Sequence, residues 1–62
     1  MMHYSEFGAE ARKIMLLKGI SMSQLAEDLG ISIYYLSEIL KGTRPGKKYK
    51  VEIAKILEME EF

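Results

Sequence analysis

Apolar residues recur at helical spacing along most of the chain. Phe7, Ala11 and Ile14 fall at i, i+4 and i+7, which places them on one face of an α-helix. We predict that this first helix begins at residue 5 or 6 and ends before Gly19, because glycine commonly follows the last helical residue. We predict no β-strand in the chain, so the helical spacing of the apolar residues indicates an all-α protein.

The segment 21–41 predicts two further helices joined by a short turn. Ser21 is a suitable N-cap for the first of them, which we expect over residues 22–29, with Gln24 as the second partner of a capping box. Gly30 supplies the left-handed backbone conformation that ends this helix at little cost. The apolar face of the helix consists of Leu25, Ala26 and Leu29.

The helix after this turn is expected over residues 33–41, with Ser32 as its N-cap and Ile31 filling the corner between the two helices. Its apolar face consists of Leu36, Ile39 and Leu40. Two helices that cross steeply around a glycine turn and share one small core form a helix-turn-helix. In DNA-binding proteins with this motif, the second helix enters the major groove.

Residues 42–46 contain the single proline and indicate an ordered surface loop rather than a linker. A fourth helix is predicted to begin between Lys48 and Val51, with Tyr49 packing at its start. It should bury Ile53, Ala54 and Leu57. We therefore expect one domain over residues 1–62, an all-α, compact bundle of four helices with room for a short fifth.

The order and spacing of these residues resemble the Cro and phage-repressor family of helix-turn-helix regulators, the lambda-repressor-like or XRE family. The matching fragments are Phe7-Gly8, Gly19-Ile20-Ser21, Leu25-Ala26, Leu29-Gly30-Ile31-Ser32, Lys41-Gly42, Ile53-Ala54 and Leu57. The resemblance extends from Phe7 to about Met59. It implies a lambda-repressor-like fold and double-stranded DNA as the partner.

Two departures from the family pattern change the expected packing. Many relatives carry an arginine at the position of Met15 and a glutamate at that of Leu40, and these two residues form an ion pair. We expect Met15 and Leu40 to pack in the core in place of this ion pair, since an apolar pair avoids the cost of desolvating two charges. The family also usually adds a fifth helix, for which this sequence has only a short tail.

Without a fifth helix, part of the apolar surface is expected to lack its usual cover. The residues expected to form this surplus surface are Met15, Leu16, Leu17, Met22 and Phe62. Two outcomes are open, local repacking beneath the tail or a homodimer. For a homodimer, the predicted interface is Ile56, Met59 and Phe62, joined by Leu16 or Leu17.

Positive charge is concentrated in residues 41–50, although the whole chain has a formal net charge of zero. Residues 1–40 carry three basic and five acidic groups, and residues 51–62 carry one basic and four acidic groups. Residues 41–50 carry five basic groups and no acidic group. A basic segment directly after a candidate recognition helix favours binding to DNA.

The family resemblance places the base-reading residues on the exposed face of the helix 33–41. These residues are Ile33, Tyr34, Ser37 and Glu38. Isoleucine can pack on a thymine methyl group, and a carboxylate can accept a hydrogen bond from the cytosine amino group. Glu38 is repelled by phosphates unless a base donor or an arginine such as Arg44 meets it. For Tyr35 we favour a packing role over the turn.

Phosphate contacts are predicted in two places. One is the N-terminus of the helix 22–29, where backbone N–H groups and the positive end of the helix dipole attract anions. The other is the basic segment 41–50. The predicted residues are Ser23, Gln24, Lys41, Thr43, Arg44, Lys47 and Lys48. Such contacts position a protein on DNA without specifying the base sequence.

Composition argues against several other functions. The chain has no cysteine and one histidine, so we expect no metal site and no cofactor. No apolar run reaches the length of a membrane span. The sequence has neither a glycine-rich phosphate loop nor a nucleophile beside a base, so we expect no enzyme and no small-molecule substrate. The lack of cysteine is compatible with the reducing cytoplasm, where we expect the protein to work.

Two functional hypotheses follow. The first is a small transcriptional regulator, a repressor of the phage or mobile-element type that binds duplex DNA as a homodimer. The second is a protein-interaction module, similar to an antitoxin or anti-repressor, which binds a protein through Tyr34, Tyr35 and Glu38. The basic segment 41–50 favours the first hypothesis, whereas Glu38 and the lack of a fifth helix favour the second.

Overall fold

The computed structural model describes residues 4–59 and contains four α-helices in this part of the chain. They are α1 (Glu6–Lys18), α2 (Met22–Leu29), α3 (Ile33–Lys41) and α4 (Lys47–Leu57). α1 packs against α3 and α4, and α2 packs against the same two helices. The predicted all-α fold is confirmed, as are the predicted bounds of the first three helices.

Serine residues begin the first three helices. The hydroxyl oxygens of Ser5, Ser21 and Ser32 each accept a hydrogen bond, at 3.0–3.1 Å, from the backbone N–H three residues further on. Each such cap stabilises its helix by about 1 kcal/mol, because it satisfies an N–H group that the helix leaves unpaired. The predicted capping box is only half formed, since the side-chain amide of Gln24 donates to Asp28 at 3.0 Å instead of turning back to the cap.

α4 begins at Lys47, one residue before the predicted range, which starts near Lys48. Gly46, the residue before the helix, has a left-handed conformation with a φ of 46°, which turns the chain directly into the helix. A larger residue does not fit at this position, because a Cβ would lie 2.7 Å from Cγ1 of Ile39. The basic segment 41–50 is therefore the end of α3, a short connection and the first turn of α4 rather than one loop.

The core lies where the four helices meet. Its fully buried large side chains are Met15, Leu25, Leu36, Ile39, Leu40, Ile53 and Leu57. The prediction of Met15 as surplus surface is wrong, because Met15 lies four residues after Ala11 and continues the buried face of α1. Ile14, the predicted member of that face, is only half-buried. Met15 and Leu40 are both fully buried in one core cluster, as the replacement of the family's ion pair predicts.

The first turn of α1 is held against the last turn of α3 through the carbonyl oxygen of Leu40. This oxygen accepts hydrogen bonds from the backbone N–H of Ser5 at 3.1 Å and from the Ser5 hydroxyl at 3.0 Å. Gly8 permits the close approach, because a Cβ on Gly8 would overlap the Leu40 carbonyl group. Glycine is therefore needed here for helix packing, at a helical position where backbone conformation alone would favour alanine.

An ion pair joins the C-terminal ends of α1 and α4. Lys18 Nζ lies 2.6 Å from Glu58 Oε1. The hydrogen bond from Lys18, together with its positive charge, lowers the pKa of the Glu58 carboxyl. Both side chains are exposed to solvent, so this pair adds little to the stability of the fold.

Replacing Gly8 with alanine tests the contact between α1 and α3. In an ordinary helix interior this change stabilises a protein by about 0.5–1 kcal/mol. Here we expect Gly8→Ala to destabilise the protein by on the order of 1–3 kcal/mol, because the added methyl group pushes the two helices apart. Urea unfolding followed by circular dichroism measures the difference in the free energy of unfolding.

Ala9→Gly is the matched control, since Ala9 is the exposed neighbour of Gly8 in α1. This variant should lose about 0.5–1 kcal/mol, the usual penalty of glycine in a helix. A gain in stability for Gly8→Ala would contradict the close approach of α1 to the Leu40 carbonyl group.

Candidate nucleic-acid interface

The four residues predicted to read bases lie on the face of α3 that points away from the core. They are Ile33, Tyr34, Ser37 and Glu38. Tyr34 is 85% exposed and Ile33 is 44% exposed, whereas Ser37 and Glu38 are half-buried. The opposite face of the helix is fully buried at Leu36, Ile39 and Leu40. α3 is therefore anchored along one face and accessible along the other.

The turn between α2 and α3 fixes the direction in which this accessible face points. Gly30 ends α2 in a left-handed conformation with a φ of 71°, as predicted. The backbone N–H of Ile31 then donates to the carbonyl of Ala26 at 3.0 Å, and the Ile31 side chain packs against the core. Together with the contact of Leu40 with Ser5, this turn holds α3 at both of its ends.

Glu38 and Arg44 form an ion pair at the surface, one turn before the end of α3. Arg44 Nε donates a hydrogen bond to Glu38 Oε1 at 2.8 Å. This bond, together with the negative charge of Glu38, raises the pKa of the Arg44 guanidinium. The guanidinium also lies over the ring of Tyr35, with Cζ 5.0 Å from the ring centroid. The carboxylate on the candidate recognition face is therefore already neutralised by an arginine.

Tyr35 connects the ion pair to α4 through a contact between aromatic rings. Its ring meets the ring of Tyr49 edge to face, with centroids 5.6 Å apart and planes at 70°. Lys48 Nζ lies 5.8 Å from the centroid of the Tyr49 ring. Both rings pack against the core, so a packing role is confirmed for each, and the ring contact of Tyr35 is with α4. Their mutual contact was not predicted, because the pattern within each helix does not reveal which residues of α3 and α4 meet.

The basic residues of the segment 41–50 differ in their surroundings. Lys41, Lys47 and Lys48 are exposed, and Arg44 is the only residue of this segment that forms an ion pair within residues 4–59. Lys50 Nζ lies 5.8 Å from the centroid of the Phe7 ring. Three lysines of the segment therefore present their charge to solvent.

Lys47 and Lys48 lie at the positive end of a helix dipole. α4 has no side-chain cap and no acidic residue in its first turn. Positive charges at this end of a helix are unfavourable in the absence of an anion, because they add to the partial charge of the unpaired backbone N–H groups. The start of α4 is thus the part of the segment where an anion would relieve the most repulsion.

The remaining predicted phosphate contacts are also at the surface. Ser23 and Gln24 are exposed in the first turn of α2, where the side-chain amide of Gln24 is engaged by Asp28. Thr43 is exposed, but its hydroxyl donates to the carbonyl of Glu38 at 3.2 Å and so helps to cap α3. The backbone N–H groups of these two residues are engaged as well, that of Gln24 by the Ser21 hydroxyl and that of Thr43 by the Glu38 carbonyl, each at 3.0 Å. Of the two residues, Gln24 alone keeps a donor for a phosphate, the second N–H of its side-chain amide.

The described residues of the predicted dimer interface are only partly accessible. Ile56 and Met59 are half-buried and pack against the core of their own chain, and Phe62 lies outside the described residues. By contrast, Leu16 and Leu17 near the end of α1 are 72% and 77% exposed. The largest exposed aliphatic side chains near this end of the molecule are therefore on α1.

Residues 4–59 contain no group of three or more His, Cys, Asp or Glu residues that is able to hold a metal ion. In the same part of the chain, none of the helices combines the length and the apolar character that crossing a membrane requires.

A family model described as helix-turn-helix matches residues 10–61. The match spans most of α1 and all of α2, α3 and α4, and it includes the turn and the basic segment. No curated protein and no solved structure matches the chain. The fold and the family model agree, and the chain belongs to the Cro and phage-repressor (XRE) family of helix-turn-helix DNA-binding domains.

Proposed function

We propose that the chain, as one domain over residues 1–62, is a transcriptional regulator that binds a specific site on duplex DNA. The observation that carries the proposal is the juxtaposition of two surfaces. The accessible face of α3 is followed directly by an acid-free segment with three solvent-facing lysines, Lys41, Lys47 and Lys48. A basic patch beside a recognition helix supplies affinity, and the helix face supplies sequence preference.

In the proposed complex, α3 lies in the major groove with its residues 33–38 towards the bases. Ile33 and Tyr34 project furthest into solvent and would make the first contacts. The branched side chain of Ile33 suits the methyl group of thymine. Ser37 lies one turn further along the same face and can donate to or accept from a base edge. Glu38 completes the base-contacting set.

Phosphates on either side of the groove are the proposed ligands of two helix N-termini. Lys41, Lys47 and Lys48 would flank one strand, and a phosphate at the start of α4 would relieve the repulsion described above. Ser23 and Gln24 in the first turn of α2 would meet a phosphate on the other side of the groove. Thr43 is not retained among the phosphate ligands, because its backbone N–H and its hydroxyl both donate to the carbonyl of Glu38.

A role as a protein-interaction module is the weaker candidate. It depended in part on Glu38, because an unpaired carboxylate would be repelled by DNA. In the structure that carboxylate is paired with Arg44 at 2.8 Å, so its repulsion of phosphates is largely cancelled. The exposed ring of Tyr34 suits a protein partner as well as DNA, but the acid-free lysine cluster has no comparable explanation in the second hypothesis.

We also propose that the active form is a homodimer. A single recognition helix covers too few base pairs to select one operator, and successive major grooves face the same side of the duplex about every 34 Å. The protomer has principal extents of 24 × 23 × 23 Å, so two protomers side by side can reach two successive grooves. Leu16 and Leu17, with Ile56, Met59 and Phe62 of the predicted interface, are the proposed apolar seam.

We propose further that this regulator is a repressor of the phage or mobile-element type, which blocks transcription by occupying its operator. We propose that it works in the cytoplasm, as expected from the sequence.

Salt dependence tests the phosphate contacts. If Lys41, Lys47 and Lys48 each neutralise one phosphate, log K should fall against log salt with a slope of about −2.7 per protomer. Lys47→Ala with Lys48→Ala should flatten that slope by up to about 1.8 and weaken binding to all sequences alike. Fluorescence polarisation with a labelled duplex at several salt concentrations measures both quantities.

Lys13→Ala with Lys55→Ala is the matched control, because both lysines are exposed and lie outside the segment 41–50. It removes the same charge and should leave the slope nearly unchanged. Equal slopes for the Lys47/Lys48 variant and the parent would remove the start of α4 from the DNA-binding surface.

The dimer proposal is tested by Leu16→Glu with Leu17→Glu, which changes exposed residues and leaves the core intact. Sedimentation equilibrium over a concentration series should show a weak dimer for the parent. The variant should have a dimer dissociation constant raised by on the order of tenfold or more, because apolar area is replaced by repelling charges. Leu16→Met with Leu17→Met keeps the apolar area and should behave like the parent. If the glutamate variant dimerises as well as the parent, the seam lies elsewhere.

A further inference from the structure

We propose that Glu38 and Arg44 act as a single unit that reads a C·G base pair in the major groove. In this assignment Glu38 accepts a hydrogen bond from cytosine and Arg44 donates to guanine. Arg44 thereby becomes a specificity-determining residue instead of one of the phosphate contacts predicted from the sequence. The inference rests on the proposed DNA-binding function and names the base pair that one part of the α3 face selects.

The ion pair leaves hydrogen-bonding groups of both side chains unused. The bond between the two side chains uses Nε of Arg44 and Oε1 of Glu38. The two terminal amino groups of the guanidinium and the second carboxylate oxygen have no hydrogen-bond partner within residues 4–59. The unit therefore presents donors on the arginine side and an acceptor on the glutamate side, next to each other.

That order matches the edge of a C·G pair. In the major groove, guanine presents two acceptors, N7 and O6, and cytosine presents the N4 amino donor beside them. The arginine donors and the carboxylate acceptor meet these groups in sequence. In an A·T pair the N6 amino donor of adenine lies between two acceptors, so a donor would face the guanidinium. The pair is thus complementary to C·G and mismatched to A·T.

The guanidinium of Arg44 lies against an aromatic ring of α3. Its Cζ lies 5.0 Å from the centroid of the Tyr35 ring, and Tyr35 is itself a residue of α3. The arginine is thus folded back onto the recognition helix rather than extended towards the lysines at the start of α4. Glu38 lies on the accessible face of the same helix, three residues after Tyr35. Both groups proposed to contact bases therefore keep a fixed position relative to α3 when the helix enters the groove.

The Arg44 side chain is held in place before DNA binds. The Tyr35 ring is supported by Tyr49, at a centroid distance of 5.6 Å, so the platform beneath Arg44 is shared by α3 and α4. A side chain held in its bound position before binding loses less conformational entropy in the complex. The pair carries no net charge, so it adds little to the release of counterions, and its contribution is expected in sequence preference rather than in salt dependence.

Selection from a random duplex library, followed by competition between the selected duplex and single-base variants, tests the proposal. The parent should select a C·G pair at one position of each half-site. At that position a change to A·T should weaken binding by about 5- to 150-fold. Glu38→Gln and Arg44→Ala should each reduce that preference to within about twofold and leave preferences at the other positions intact. The double variant should lose no more than either single variant, because the two residues act together.

Glu27→Gln is the matched control, since Glu27 is an exposed acid on α2 and its loss changes the net charge by the same amount as Glu38→Gln. It should leave every base preference unchanged. If Glu38→Gln keeps the C·G preference of the parent, the proposal is wrong. It is equally wrong if Arg44→Ala weakens all duplexes alike and flattens the salt slope by about 1, which is the behaviour of a phosphate contact. Failure of the parent to bind any duplex would overturn the proposed function together with this inference.

Discussion

The structure depends on the contact between the first turn of α1 and the last turn of α3. The carbonyl oxygen of Leu40 is one of the groups that the end of a helix leaves unpaired, and here Ser5 satisfies it twice, through its backbone N–H and its hydroxyl. Gly8 allows the two backbones to come this close. Because Leu40 also belongs to the core, the same residue fixes both the depth and the direction of α3. The accessible face of α3 points outward as a consequence.

A second glycine contact supports the other side of the same helix end. Gly46 lies against the Ile39 side chain and turns the chain at once into α4. This turn brings Lys47 and Lys48 to the surface beside α3, and it allows Tyr49 to meet Tyr35. The basic surface and the candidate base-reading surface are thus positioned by two neighbouring core residues of one helix. A change in the packing of that helix end would move both surfaces together.

Much of the fold follows from local signals. The serine caps and the left-handed glycines that follow the helices are short-range features, and they predict the bounds of α1, α2 and α3 correctly. The start of α4 was predicted less sharply, because its signal is the conformation of Gly46, which depends on the position of Ile39 in space. Met15 was misplaced for a related reason. Met15 belongs to a run of four apolar residues, 14–17, and such a run does not show which of its members face the core until the helix has been placed against its neighbours.

The site was predictable in its residue types and less so in its geometry. The charge distribution and the spacing on α3 indicate a candidate DNA-binding surface without any structure. They suggest Arg44 as a possible partner of Glu38, but they do not reveal that Arg44 folds back onto both Glu38 and Tyr35, because that contact depends on the shape of the connection between α3 and α4. The contact changes the electrostatics of the surface, since one positive and one negative charge cancel on the recognition helix. The remaining positive charge is carried by lysines at its edge.

The most direct test of the account is an NMR titration of the ¹⁵N-labelled protein with duplex DNA, which reports on every backbone N–H at once. The largest shifts are expected on residues 33–38, on residues 43–48 apart from Pro45, and on the first turn of α2. Amide signals of residues 33–38 and 43–48 that stay in place while others move would contradict the account, because DNA would then bind to another face of the molecule.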